Sequence, residues 1–175
     1  MNPRIPTHPI IQDSEHDEKM VRRRKWVEEA FVHTVRQARE GILYGHSERR
    51  AAGILVRVSI PMPGSAGSDE YRIRIEALCR LLIAGGFNSA ILDDESEYAR
   101  LKLWVLYDPV RVVTSNGERF NAEIGLDEAI EDAVQRIVQR GSWRHLENGG
   151  SIYVSAHHVA GVEIERAYPD AENGT

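Results

Sequence analysis

Between residues 110 and 124 the chain reads VRVVTSNGERFNAEI, and its centre, Asn116-Gly117, is the strongest constraint on the fold. An Asn-Gly pair between alternating β-branched residues selects a tight turn that joins antiparallel neighbours. Strands are therefore expected at 110–115 and 118–124, paired antiparallel. Any architecture for this chain has to contain that hairpin.

The surrounding pattern agrees. Apolar residues at strand spacing mark 54–60, 88–92, 99–107, 143–146, 152–154 and 159–166. In 99–107, Leu101, Leu103, Val105 and Tyr107 are expected on one face. Three stretches carry helical spacing instead. From about 15 to 40, Val27, Phe31, Val35 (with Thr34), Ala38 and Ile42 form one stripe, with Ser14 as the expected cap. Tyr71, Ile75, Leu78 and Leu82 form a second, stopped by Gly85-Gly86. Leu126, Ile130, Ala133 or Val134, and Ile137 form a third, with Asp127 and Glu128 at its start and Gly141 at its end. Strands cluster and helices interrupt them. That order predicts an α+β fold, a mostly antiparallel sheet with a long N-terminal helix and two further helices. Residues 1–14, with three prolines, are expected as a flexible tail, 15–167 as one domain, and 168–175 as a frayed end. Within the domain, 54–107 reads β-α-β-β and 110–166 reads β-β-α-β-β-β.

Composition excludes several function classes. A single cysteine, Cys79, rules out a disulfide framework and a cysteine-based zinc site. It lies in ALCRLLIAG, where a thiol behaves as a small apolar group. No apolar run approaches the roughly 18 residues a membrane span needs, and the N-terminus lacks the pattern of a signal peptide. A cytoplasmic setting is the expectation. Residues 1–60 hold 11 Lys and Arg against 8 Asp and Glu; the remainder holds 11 against 19. An acidic body argues against nucleic-acid binding, which needs a basic face, except through the N-terminal basic run. Arginine outnumbers lysine 19 to 3, which points to a GC-rich bacterium or its phage as the source.

The candidate site residues are few. His157 and His158 are adjacent, so on a strand they point to opposite faces and do not share an ion. SAHHVAG around them suits a bend, and with His145 across the preceding turn they are candidates for ligand contact. Arg72 and Arg74, after the Pro/Gly/Ser loop PMPGSAGSDE, are further ligand candidates. That loop lacks both the P-loop and the dinucleotide-binding glycine patterns. Asp93 and Asp94 open the acidic run DDESE, the candidate metal position. It lacks the spacing of an EF-hand, and the residue two before Lys102 is Arg100, not the Glu of a nuclease motif. Arg22, Arg23 and Arg24 with Trp26, and Phe31 one turn on, are candidates for partner contact. No nucleophile elbow, zinc-protease motif or phosphoesterase histidine motif occurs, and no catalytic residue or cofactor is assigned.

Together these features predict a small non-catalytic binding or regulatory protein that self-associates through its first helix. A nucleotide or other small-molecule binder built from arginines is the first alternative. A metal-dependent hydrolase using Asp93, Asp94, His157 and His158 is the second.

Overall fold

The computed structural model describes residues 10–94 and 98–165, with side chains from Glu15 onward. Residues 1–9 of the expected 1–14 tail, residues 95–97 of the acidic run and residues 166–175, with the expected end at 168–175, lie outside the described residues, while 10–14 of that tail are helical. The chain is α+β. Its elements are α1 (Ile10–Leu43), β1 (Glu48–Arg49), β2 (Gly53–Ser59), α2 (Asp69–Ala84), β3 (Ser89–Leu92), β4 (Arg100–Leu106), β5 (Val110–Thr114), β6 (Arg119–Asn121), α3 (Ile130–Arg140), β7 (Gly141–His145), β8 (Ser151–Ser155) and β9 (Val159–Ile164), with a 3-10 turn, Ala156–His158, between the last two strands.

Among the described residues the strands form three antiparallel sheets, ordered β1-β2-β4-β3, β6-β5-β9 and β7-β8. In the first, β2 and β3 both run antiparallel to β4, so they are parallel to each other with β4 between them, and α2 makes the crossover. The Asn116-Gly117 hairpin pairs β5 with β6, Val112 facing Phe120. Gly117 takes φ +84, as the turn chemistry requires.

Two cores flank the main sheet. On one face Val56, Val58, Leu101 and Leu103 meet Leu78 and Leu82 of α2 and Ala30 and Ala38 of α1. On the other, Leu55, Trp104 and Leu106 meet Val110, Val112, Phe120, Ile124, Ala133 and Ile137. The expected single apolar face of β4 is thus corrected. Leu101 and Leu103 face the helices, Val105 is half-buried, Tyr107 is exposed, and Trp104 and Leu106 fill the second core. A strand covered on both sides loses its alternation.

Asn88 joins the two halves. It is 2% exposed. Its Nδ2 donates to the Ala122 carbonyl at 3.1 Å, and its Oδ1 accepts from the Leu106 N–H at 3.1 Å. Its backbone bonds Trp104 and Ile124. Asn121 complements it, donating to the carbonyls of Ile83 and Phe87.

Two helix starts differ from expectation. α1 begins at Ile10, so Ser14 lies inside it. α3 begins at Ile130, which puts Asp127 and Glu128 before the helix. There Glu128 accepts from the Gly125 N–H at 3.0 Å and from Arg136 at 2.7 Å, and the guanidinium lowers its pKa. These bonds hold a turn and displace the first helical residue. Ser68 does cap α2, accepting from the Tyr71 N–H at 3.1 Å. α3 passes into β7 with no loop, because Gly141 takes φ +94; a Cβ there would strike the Val154 carbonyl oxygen.

Candidate functional site

The stripe of α1 is covered from within. Phe31 and Trp26 pack against the first core, and the Phe31 ring lies against Gly85 at the end of α2. The cations beside them are each placed near a carboxylate: Arg22 by Glu18 at 3.4 Å, Arg23 by Glu70 at 2.8 Å, Arg24 by Glu28 at 3.1 Å and Lys25 by Glu29 at 3.9 Å. The basic run is therefore an ion-paired helix surface.

Glu70 is the centre of the tightest of these groups. Arg23 holds it through two hydrogen bonds and Arg74 through a third at 2.9 Å, and Lys19 approaches to 4.0 Å. The Arg23 bond, then Arg74, overcome desolvation and bring the Glu70 carboxyl down to about pKa 2. Arg74 also stacks over the Trp26 ring at 5.9 Å. Arg74 thus ties α2 to α1, while exposed Arg72 sits 3.7 Å from Asp69.

The other expected positions are scattered. Asp93 is 5% exposed, with Lys102 at 3.7 Å and Arg57 at 3.8 Å, while Asp94 faces solvent. Cys79 packs against the first core, and burial pushes its thiol up to about pKa 12. His157 and His158 form the 3-10 turn with their rings exposed, and their carbonyls receive the Ser115 hydroxyl and N–H at the hairpin tip. His145 lies at the opposite end of the β7–β8 pairing. Its Nε2 is 2.7 Å from Glu123 and its Nδ1 is 2.8 Å from the Ser151 hydroxyl. Among the described residues no three His, Cys, Asp or Glu side chains are grouped to hold a metal ion, and no helix is long and apolar enough to cross a membrane.

Two surfaces remain. One is a cleft of about 970 Å3 between the end of α2, the β5–β6 sheet and the turn after β7. Arg111, Arg119, Arg144 and His145 line it. Its arginines already meet carboxylates: Arg119 binds Glu163 through two nitrogens, Arg111 is 3.4 Å from Glu165, and Arg144 is 2.5 Å from Glu118.

The other surface is the β7–β8 ribbon. Trp143, Ile152 and Tyr153 are 52%, 53% and 49% exposed. Trp143 and Tyr153 face each other across the pairing, edge to face at 5.2 Å. The Tyr153 hydroxyl donates to the Arg140 carbonyl at the end of α3. β7 is the only strand bonded to β8 among the described residues, which leaves the far side of β8 open. Sequence reading missed this surface. Its signal was the uncharged SIYVS between two turns, with bulky residues at consecutive positions that one buried face cannot hold together. No protein-family model, curated protein or solved structure matches the chain.

Proposed function

We propose that this chain is a non-catalytic binding protein that works by protein–protein contact, with the β7–β8 ribbon as its docking surface. The observation that carries this reading is the ribbon's composition: Trp143 and Tyr153, paired on one face, and Ile152, opposite Arg144 on the other, are each about half exposed. Trp, Tyr and Arg are the residues on which interface energy concentrates, and a strand with a free side offers backbone groups to a partner. The pairing of Trp143 with Tyr153 fixes both rings before contact, so docking costs little side-chain entropy.

The test is a photoreactive p-benzoylphenylalanine in place of Ile152, with the same group at exposed Val32 of α1 as control, irradiated in cells of the source organism. A protein adduct of defined mass from position 152 and none from 32 is the expected result. No adduct from 152, or equal adducts from both, overturns the reading.

A second reading is favoured by one observation, the three guanidinium groups lining one cleft. It is a site for a small anionic molecule such as a nucleotide. Native mass spectrometry of the purified chain decides it: a retained or added nucleotide at one per chain, lost in Arg144→Ala, supports the cleft.

A further inference from the structure

We propose that the partner of the ribbon is a second copy of this chain, docked by antiparallel pairing of β8 with β8 about a two-fold axis through Tyr153. This rests on the ribbon being the docking surface, and it names the occupant. Three observations lead to it.

The first is the hydrogen-bonding phase. Leu146 N–H donates to the Gly150 carbonyl at 2.9 Å, so the antiparallel alternation makes Ile152 and Val154 the residues that bond inward to β7. The backbone groups of Ser151, Tyr153 and Ser155 then face out. A two-fold axis at Tyr153 sets Ser151 against the partner's Ser155 and Tyr153 against the partner's Tyr153. Each such facing pair exchanges two hydrogen bonds.

The second is the strand itself. SIYVS is nearly the same in both directions. In the two-fold register Ile152 faces the partner's Val154, apolar against branched apolar, and serine faces serine. An isologous contact requires this self-complementarity. Edge strands ordinarily carry charges that block such pairing. β9 has Glu163, β6 has Arg119, β1 is only Glu48–Arg49, and β3 runs straight into Asp93 and Asp94. β8 carries none.

The third is charge at the ends. The same register brings the Glu147-Asn148 turn of each copy beside the 3-10 turn of the other. One carboxylate then meets the partner's His157 and the partner's His158 at each end, and no like charges are opposed. On a chain of net charge −5, this is a stretch where two copies approach without repulsion.

The experiment is sedimentation velocity of the purified full chain from about 1 to 200 µM. The expected result is a concentration-dependent species at twice the 19.8 kDa chain mass. Two variants address the register. Ile152→Lys puts an edge-blocking charge opposite the partner's Val154. Ser155→Pro removes an outward N–H at a residue whose φ is already −67, so the β7 pairing is left intact. Each is expected to raise the midpoint concentration of dimer formation at least tenfold, with the thermal melting curve unchanged. A chain that stays monomeric at 200 µM, or a dimer that both variants leave intact, overturns the proposal. A monomer whose position-152 photoprobe still captures a different protein in cells retires the second copy and keeps the docking ribbon. A monomer with no adduct retires both.

Discussion

The main sheet and the β7–β8 ribbon both carry bulky apolar residues and treat them oppositely. β2 and β4 are Val- and Leu-rich strands enclosed on both faces, by α1 and α2 on one side and by the second core on the other. The ribbon has fewer large apolar side chains for its length, yet Trp143, Ile152 and Tyr153 keep about half their surface in water. What differs is supply: the chain has two long helices to cover the main sheet and only the short α3 for the rest. On the reading proposed above, the apolar surface left open on the ribbon is what a partner covers.

The comparison can be broken or sharpened by substitution. The largest effect belongs to the enclosed sheet. Leu103→Ala, at a fully buried position, should cost about 2–5 kcal/mol in chemical denaturation. A loss below about 1 kcal/mol would mean the first core does not hold the fold. Next comes the joint between the halves. Asn88→Ala leaves the Leu106 N–H and the Ala122 carbonyl without their side-chain partner. It should cost about 1–3 kcal/mol, and hydrogen exchange at Leu106 should quicken by one to two orders of magnitude.

Glu70→Gln comes third and carries a pH signature. The carboxyl is depressed from 4.5 to about 2 in the folded chain. Its contribution is therefore fully present above the unfolded pKa and is lost as pH falls through the folded one. The stability gap between wild type and Glu70→Gln should be about 1–3 kcal/mol at pH 7 and close steadily between pH 4.5 and 2. A gap independent of pH would show that the ion pairs do not supply it. Smallest are the exposed positions. Arg119→Ala breaks its pairing with Glu163, where both side chains are about half exposed, and should leave the denaturation midpoint unchanged, since water and salt screen such a pair.

The sequence made some elements plain and hid others for physical reasons. The Asn116-Gly117 hairpin and the stripe of α2 were legible because each is decided by residues a few positions apart. β4 was misjudged because burial on both faces erases the alternation from which a face is read. The start of α3 was misplaced because Glu128 bonds Arg136 and Gly125 instead of opening the helix, a choice made eight residues downstream. The stripe of α1, including Phe31, was seen, but what covers it was not, since α2 and β2 lie far along the chain. For the same reason a Phe31→Asp variant tests stability and not assembly. The candidate site suffered most. The bend at His157 and His158 was readable from SAHHVAG, but not that their carbonyls would take the Ser115 hydroxyl and N–H at the hairpin tip. The exposed ribbon rests on Trp143, Ile152 and Tyr153, whose surroundings follow from which elements the fold leaves over.

Gly141 couples this ribbon to the interior. α3 runs into β7 without an intervening residue, and Tyr153 donates to the last carbonyl of α3, so helix and ribbon are tied at two points. A load placed on the ribbon would therefore be passed along α3 to Ala133 and Ile137 in the second core.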